Sequence, residues 1–290
     1  MKKWIAALLA GLFLLALAVP ALALDAGASR VVIGANLDDA QIKQVYDDFG
    51  LERGSVTELI VTNADERAYL EGLVSDSKIG SVALSCVYIT TLEEGAGLFI
   101  TSKNINWCSN EMYANALTTA GITDAQVMVS APFAVSGTAA LTGIYRAYED
   151  ITGTSLSDLA KSIGAEELVV TGQLAEYIGS EEAAELINEL KKILDQTQNM
   201  SDDDVRAEIR KIAKQYNVEV TDAQVEQLLA LCRKLEKLDV DTLKKQLISL
   251  TETVQKAGKA QAAISSVGEK IGGFFSNIGK FFSNLFGSKN

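Results

Sequence analysis

The first half of the chain alternates short β-branched runs with segments of helical spacing. The runs Arg30–Ala35, Val56–Thr62 and Ala125–Ser130 predict strands, because Val, Ile and Thr favour the pleated backbone. Two further runs, Val82–Thr91 and Gly97–Lys103, are joined by a short acidic turn that contains glycine, which predicts a β-hairpin. These strand signals together indicate a sheet in the first half of the chain.

Helix-start signals lie between these strands. Asp38–Gln41 and Asn63–Glu66 each place a capping side chain three positions before a second polar residue, which predicts a helix start at each place. Ser109 predicts the start of another helix, and the turn Pro132–Gly137 leads into one that ends near Ile151. Strands interleaved with helices predict an α/β fold in which helices pack on a mixed sheet.

Strand signals vanish after Thr154, and helical patterns follow to the end of the chain. The breaks between these predicted helices fall at Gly164, Gly179, Asn199 and Asn217. The pattern predicts an α/β domain over residues 24–153, an α-helical bundle over residues 154–262 and a C-terminal amphipathic helix over residues 263–290. It allows the two halves either to share one core or to have separate ones.

Residues 1–23 have the layout of a cleavable secretory signal peptide. Lys2 and Lys3 precede the uncharged apolar run Trp4–Val19, and Ala21–Ala23 forms an A-x-A type cleavage site. A retained N-terminal anchor is the alternative, but the apolar run is short for a membrane-spanning helix. We therefore expect export, with the protein associated with the outer face of the cytoplasmic membrane or with the cell wall.

The C-terminal segment carries the strongest amphipathic pattern in the chain. Two consecutive heptads repeat the order Ile-Gly-x-Phe-Phe-Ser-Asn, which places apolar residues on one side of a predicted helix. This side comprises Ile271, Phe274, Phe275, Ile278, Phe281, Phe282, Leu285 and Phe286. Residues 251–290 hold five lysines and two glutamates, so the segment is basic. The pattern predicts contact with a membrane surface or an envelope protein, and packing on the chain's own bundle or self-assembly are the alternatives.

Composition narrows the possible chemistry. The chain contains no histidine, which excludes Ser-His and Cys-His catalysis and every His-containing metal site. Its net charge of −12 argues against nucleic acid as a partner, because such binding needs a positive surface. We expect buried thiols at Cys86, Cys108 and Cys232, and a disulfide between the first two is the alternative.

One polar loop has the composition of a ligand site. The loop follows a predicted strand and opens a predicted helix, where hydroxyl and backbone N–H groups can bind an anion. Its candidate ligand-binding residues are Ser136, Gly137, Thr138 and Thr142. The alternative is a helix cap whose small residues allow close packing. The loop matches neither a P-loop nor a dinucleotide-binding motif, and we expect neither a cofactor nor a metal.

A second candidate site combines asparagine with tryptophan. Asn104, Trp107 and Asn115 cluster around the end of the predicted hairpin and the next predicted helix. Such residues can line a groove for a carbohydrate or a peptide, by ring stacking and amide hydrogen bonds. The alternative is that they serve as turn residues and a core aromatic.

A hydrolase without histidine would need carboxylates or a Ser-Lys pair. The segment Ser75–Lys78 fits the S-x-x-K pattern, but the companion elements of that enzyme class are missing, so we interpret the match as chance. The acidic pairs that we interpret as surface charge are Glu93/Glu94, Glu166/Glu167 and Glu181/Glu182. No residue is therefore predicted to be catalytic.

Several short sequence motifs in the first half of the chain are specific in their residues and in their order. They are Ile60–Arg67, Asn104–Trp107, Met112–Leu117, Ala120–Ile122 and Ala131–Ile144. These motifs resemble the YpuA-like secreted family of Gram-positive bacteria, known as domain of unknown function 1002. The resemblance implies export from a Gram-positive cell and a two-part layout, and it lends no catalytic residue.

The patterns and the resemblance together predict an exported cell-envelope protein. Its α/β domain is expected to bind a ligand or partner near the Ser136–Thr142 loop, and its C-terminal helix to contact the membrane surface or another protein. The expected function is therefore binding or interaction without catalysis. An envelope hydrolase that uses carboxylates or a Ser-Lys pair is the alternative.

Overall fold

The structure, a computed structural model, describes residues 26–250, so the predicted signal peptide and the predicted C-terminal helix lie outside it. The strands are β1 (Ser29–Gly34), β2 (Thr57–Val61), β3 (Cys86–Thr91), β4 (Leu98–Ile105) and β5 (Ala125–Val135). The helices are α1 (Asp39–Phe49), α2 (Asn63–Leu70), α3 (Asp76–Ile79), α4 (Asn110–Ala120), α5 (Thr138–Thr152), α6 (Asp158–Ile178), α7 (Ser180–Lys192), α8 (Leu194–Thr197), α9 (Asp202–Gln215) and α10 (Asp222–Leu235). Residues 240–250 are helical as well. Within residues 26–250, no helix has the length and apolar character needed to cross a membrane.

The strands form one mixed sheet in the order β2-β1-β3-β5-β4. β1 and β2 are parallel, with Val32 opposite Leu59, and β4 and β5 are parallel, with Ile100 opposite Val127. β3 lies between these two pairs and runs antiparallel to both β1 and β5. Helices pack on both faces of the sheet and further helices follow it, so the predicted fold class is confirmed for the part of the chain that the structure describes.

The predicted hairpin is wrong, because β5 lies between β3 and β4. The two strands do run in opposite directions, but each pairs with β5 instead of with the other. Asp124, just before β5, holds the loop that connects them. Its backbone oxygen accepts a hydrogen bond from Leu92 N at 3.0 Å, and its carboxylate accepts one from Gly97 N at 2.8 Å. The loop therefore straddles the start of β5.

Local capping signals place the helix starts, with one shift. Asp38 caps α1 in a capping box with Gln41, as predicted. α2 is capped by Thr62 and not by Asn63, which is the first helical residue. The Thr62 hydroxyl accepts from Asp65 N, and the Asp65 carboxylate accepts from Thr62 N, which completes a capping box one position earlier than predicted.

The predicted turn at Pro132 is part of a strand, because β5 continues to Val135. A bulge in β4 allows this extension: Asn104 has a φ of 59°, and Ile105 then pairs with Val135. The Asn104 amide donates to the carbonyl oxygen of Ala131 at 2.7 Å, which holds the bulge in place. The turn into α5 is thereby shortened to the residues around Gly137.

Apolar side chains form three clusters around the sheet and the later helices. The smallest lies under α1, where Val45 and Phe49 pack near Val31. The largest lies on the opposite face of the sheet, under α4, α5 and α6. The other joins α6 to α7, α9 and α10. α6 supplies Leu168 to the cluster at the sheet and Leu174 to the helical cluster, so the α/β part and the helical part share this helix.

A buried ion pair joins the same two parts. Glu167 of α6 and Lys191 of α7 contact each other and are both fully buried. Thr119 of α4 donates to the Glu167 carboxylate at 2.5 Å, and Lys191 donates to the carbonyl oxygen of Asn115 at 3.1 Å. The interpretation of Glu167 as surface charge is therefore wrong, because its partner is distant in sequence. Burial raises the pKa of the Glu167 carboxyl and lowers the pKa of the Lys191 ammonium group.

Gly164 lies inside α6 and does not separate two helices, contrary to the prediction. A Cβ atom at this position would lie 2.6 Å from the carbonyl oxygen of Ala116 and 2.8 Å from the Tyr145 hydroxyl. The glycine therefore allows α6 to approach the backbone of α4 closely. Close helix packing, and not a helix end, explains glycine at this position.

Candidate functional site

A cleft of about 140 Å³ opens beside the turn that connects β5 to α5. One wall is the segment between α3 and β3, and the other is the turn itself. The lining residues are Glu66, Ile79, Gly80, Val82, Leu84, Ser85, Val135, Ser136, Gly137, Thr138 and Ala139. Apolar side chains thus surround three hydroxyl groups and a single carboxylate. We call this feature the Glu66 cleft.

Glu66 lies in α2 and is only 1% exposed. Its carboxylate accepts a hydrogen bond from the Thr138 hydroxyl at 2.5 Å, and a longer one from the Asn63 amide at 3.3 Å. Thr138 is the first residue of α5, so the carboxylate lies at the N-terminus of that helix. Two helices therefore bring the carboxylate and the hydroxyl together.

The environment of Glu66 changes its acidity. Burial raises the pKa of the carboxyl to about 7, because loss of hydration disfavours the charged form. The hydrogen bonds from Thr138 and Asn63 and the charge of Arg67 act in the opposite direction and offset only part of this effect. The partial positive charge at the N-terminus of α5 also favours the carboxylate. Glu66 consequently changes its charge near neutral pH.

The cationic side chains nearest to Glu66 in α2 and α3 are bound elsewhere. The Arg67 guanidinium donates to Asp76 at 2.9 Å and to the carbonyl oxygen of Gly80 at 2.8 Å. The Lys78 ammonium group donates to Glu176 at 2.8 Å. Among the described contacts of Glu66, hydrogen bonds come only from neutral groups. Within residues 26–250, the carboxylate is therefore buried without a direct cationic partner.

The predicted loop forms the wall of the cleft opposite α3. The Ser136 hydroxyl donates to the carbonyl oxygen of Lys78 at 2.8 Å, and the buried Tyr113 hydroxyl donates to that of Gly137 at 2.6 Å. Gly137 has a φ of 93°, and a Cβ atom there would lie 2.5 Å from Ile105 and from Tyr113. The loop is closely packed, and the Glu66 carboxylate occupies the position where an anion was expected to bind.

The other predicted site residues do not line the cleft. Thr142 is buried farther along α5, and Asn115 is buried between α4 and α7, where its amide donates to a carbonyl oxygen of α7. Asn104 forms the bulge of β4. Trp107 donates its indole N–H to Glu176 at 2.9 Å, and its ring lies 5.0 Å from the Lys78 ammonium group. The structure thus brings together only the loop residues Ser136–Thr138 of the predicted set.

The groups that a hydrolase would need have separate partners. The Ser75 hydroxyl is 2.9 Å from the Ser77 hydroxyl, whereas the Lys78 ammonium group binds Glu176. Of the acidic pairs, Glu93/Glu94 and Glu181/Glu182 are exposed. In residues 26–250 no three Cys, Asp or Glu side chains gather as a candidate metal site. A buried carboxylate can still transfer a proton, but the cleft lining offers no second carboxylate to assist it.

The local sequence pattern at Glu66 predicts a role different from the one in the structure. The position of Glu66 three residues after Asn63 predicted a capping side chain. The cap is formed one position earlier, and Glu66 is free to point into the protein. Its partner Thr138 is 72 residues away in the chain, so no local pattern could predict the pair.

All three cysteines are free and buried in the structure, which confirms the expected thiols and excludes the Cys86–Cys108 bridge there. Burial raises the pKa of the Cys108 thiol to about 12. Cys108 lies near the cleft, since its backbone N–H donates to the carbonyl oxygen of Ser136 at 3.0 Å. The raised pKa keeps this thiol protonated, so it is not a ready nucleophile.

Comparisons with known proteins give a family and no activity. A family model described as "Protein of unknown function (DUF1002)" matches residues 33–250. The protein described as "Uncharacterized protein YpuA" from Bacillus subtilis (strain 168) is 39% identical over 246 residues, which cover 83% of this chain and 84% of that protein. No solved structure matches the chain. The match includes α2 and the β5–α5 turn, and thus every residue that lines the Glu66 cleft.

Proposed function

The chain belongs to the family of unknown function 1002, and from this premise we propose that it is an exported, non-enzymatic binding protein of the cell envelope that holds a small ligand in the Glu66 cleft. The cleft is the structural basis of the proposal. Export and contact with the envelope rest on the sequence patterns at the two ends of the chain. A hydrolase is less well supported, because the cleft lining contains a single ionisable side chain.

The proposal depends on one observation: a buried carboxylate faces a cavity, and no residue in the described part of the chain is its direct cationic partner. Burying an ionised carboxylate is costly unless another group compensates its charge. A group with a shifted pKa value that also lines a concave site is a candidate functional group. Here Glu66 combines a raised pKa, a position in a cleft and an apolar surrounding. A role in ligand binding accounts for all three properties.

The cleft's size limits the ligand. A dry protein cavity of roughly 150 Å³ can hold one benzene molecule, so a cleft of about 140 Å³ suits roughly six non-hydrogen atoms. Val82 lines the cleft and is 41% exposed, which places it at the opening. A larger molecule could therefore insert one end and leave the remainder outside. Ligands of this size bind weakly on their own, with Kd values on the order of 1 mM.

Blocking the opening tests the proposal. We expect at least one class in a panel of small alkylammonium ions, alcohols, amides and carboxylates to bind residues 24–290 in ligand-observed NMR. Val82→Trp should abolish this binding, because a large ring at the rim closes the cleft. Ile60→Trp is the matched control, since Ile60 is 54% exposed on β2 and does not line the cleft. A panel without any binder, or equal binding by Val82→Trp, would contradict the proposal.

A further inference from the structure

We propose that the ligand of the Glu66 cleft is a primary alkylammonium group, with the Glu66 carboxylate as its counter-ion. This inference rests on the proposed function and names the chemical class of its ligand. Three properties of the cleft support it: the charge of Glu66, the direction of the hydroxyl hydrogen bonds and the apolar walls.

A cation supplies the charge that the cleft lacks. The Glu66 carboxylate receives hydrogen bonds from Thr138 and Asn63, both neutral, while Arg67 and Lys78 bind other carboxylates. An ammonium group beside Glu66 would therefore form the missing ion pair. An anionic ligand would instead meet an anionic carboxylate in a cleft with several apolar lining residues, where like charges repel more strongly than in bulk water.

The hydroxyl groups of the loop present acceptors to the cleft. The Thr138 hydroxyl donates its hydrogen to Glu66, and the Ser136 hydroxyl donates its hydrogen to the carbonyl oxygen of Lys78. A hydroxyl has one hydrogen and two lone pairs, so both oxygens can still accept. An ammonium group has three N–H donors and no acceptor, which matches this arrangement. A carboxylate or phosphate would need donors that these hydroxyls have already used.

The remaining walls fit a short alkyl chain. Ile79, Val82, Leu84 and Val135 contribute apolar side chains to the lining. An alkylammonium ion of about five non-hydrogen atoms combines an apolar chain with one charged end, and it fits the 140 Å³ of the cleft. The same group ends a lysine side chain, so the source is either a free amine or a lysine of a polypeptide that approaches the opening.

Calorimetric titration of residues 24–290 with butylammonium, 1-butanol and butyrate tests the inference. At pH 8 we expect butylammonium to bind at least tenfold more tightly than the neutral and anionic analogues of the same length. Glu66→Gln should weaken butylammonium binding at least tenfold, since it keeps the shape and removes the charge. Glu71→Gln is the matched control, because Glu71 directly follows the same helix and its side chain is 73% exposed. The affinity of this variant for butylammonium should stay within twofold of that of the original protein.

The pH dependence gives an independent readout. Butylammonium affinity should fall about tenfold from pH 8 to pH 6, because protonation of Glu66, whose pKa is about 7, removes the counter-ion. The other titratable groups that face Glu66 do not change charge in this range: Arg67 stays charged, and burial raises the pKa of the Cys108 thiol and of the Tyr113 hydroxyl. A pH-independent affinity would overturn the inference.

The outcomes separate the inference from the proposed function. Equal binding of 1-butanol or butyrate that Val82→Trp removes would overturn the inference and leave the binding function intact. Absence of binding by all three probes would overturn the inference. If no compound of the NMR panel binds either, the proposed binding function is overturned as well. Nα-acetyl-lysine-N-methylamide distinguishes the two sources. Tighter binding than butylammonium identifies a polypeptide lysine, and weaker binding identifies a free amine.

Discussion

At the scale of single residues, Glu66 shows how a folded chain keeps a carboxylate in an unfavourable place. Thr138 and the N-terminus of α5 compensate part of its charge, but burial still dominates its acidity. Since the ordinary pKa of this carboxyl is 4.5, the folded protein binds the proton more tightly than the unfolded chain does. The difference is a stability effect that depends on pH.

The difference in pKa between the folded and unfolded states sets the direction in which stability changes with pH. A raised pKa in the folded state favours folding below the unfolded value of 4.5 and loses that contribution as pH rises towards 7. We expect the difference in the free energy of unfolding between the original protein and Glu66→Gln to change with pH. The original protein should lose on the order of 3 kcal/mol relative to this variant between pH 4 and pH 8. Urea titrations of both proteins at each pH measure this difference. Relative to the exposed control Glu71→Gln, the original protein should change by less than about 0.5 kcal/mol over the same pH range. An equal change relative to both variants would contradict the assignment of the raised pKa to Glu66.

Residues also divide into those that the sequence could predict and those that it could not. Asp38 and Gln41 lie three positions apart, so the capping box at α1 is a local pattern. Glu66 and Thr138 meet only because α2 packs against α5 in the folded protein. The loop Ser136–Thr138 was predicted as a site from its own composition, whereas the carboxylate that gives the site its charge was not. Hydrogen-bond partners distant in sequence account for this difference.

At the scale of elements, the same distinction explains which predictions failed. The strands β3 and β4 were found correctly, but their pairing depends on β5, which follows later in the chain. The local pattern at Gly164 predicts a helix end, because glycine in a helix is unfavourable unless a close contact requires it. The close contact of Gly164 is with α4, which is separated from α6 in the chain by β5 and α5. Element type was therefore predictable from local spacing, and element contacts were not.

Gly164→Ala tests the close contact between α4 and α6. Alanine favours a helix by up to about 1 kcal/mol over glycine, but its Cβ would lie 2.6 Å from the backbone oxygen of Ala116. The carbonyl oxygen of Ala116 belongs to the backbone of a helix and cannot turn away from the added Cβ as a side chain could. We therefore expect a net loss of about 1–2 kcal/mol in the free energy of unfolding, measured with urea.

Gly172→Ala is the matched control in the same helix. Its Cβ would lie 2.5 Å from the Trp107 ring and 2.8 Å from the end of the Met112 side chain, and side chains can shift more readily than the backbone oxygen that Gly164→Ala would meet. We therefore expect a smaller loss than for Gly164→Ala. A more stable Gly164→Ala protein, or a reversed order of the two variants, would show that α6 does not depend on this contact.

At the scale of the whole molecule, the change from a sheet with packed helices to helices alone was predictable, because strand signals stop at Thr154. How the parts join was not, since α6 contributes to two apolar clusters and Glu167 pairs with Lys191 across helices. Leu247 and Leu250 also belong to the cluster at the sheet. The described packing that positions the cleft thus lies within residues 26–250.

The apolar heptads beyond Ala263 predict contact with a membrane surface. Phe274, Phe275, Phe281 and Phe282 each contribute roughly 1.5–3 kcal/mol when fully buried, which exceeds the cost of about 1 kcal/mol for each glycine in a helix. Because five lysines and two glutamates make residues 251–290 basic, we expect residues 24–290 to float with anionic liposomes in a density gradient. A version that ends at Ala263 should stay at the bottom, and so should a full-length version with these four phenylalanines changed to serine. Flotation of the truncated version would place membrane contact elsewhere, and no flotation of any version would favour a protein partner or self-packing.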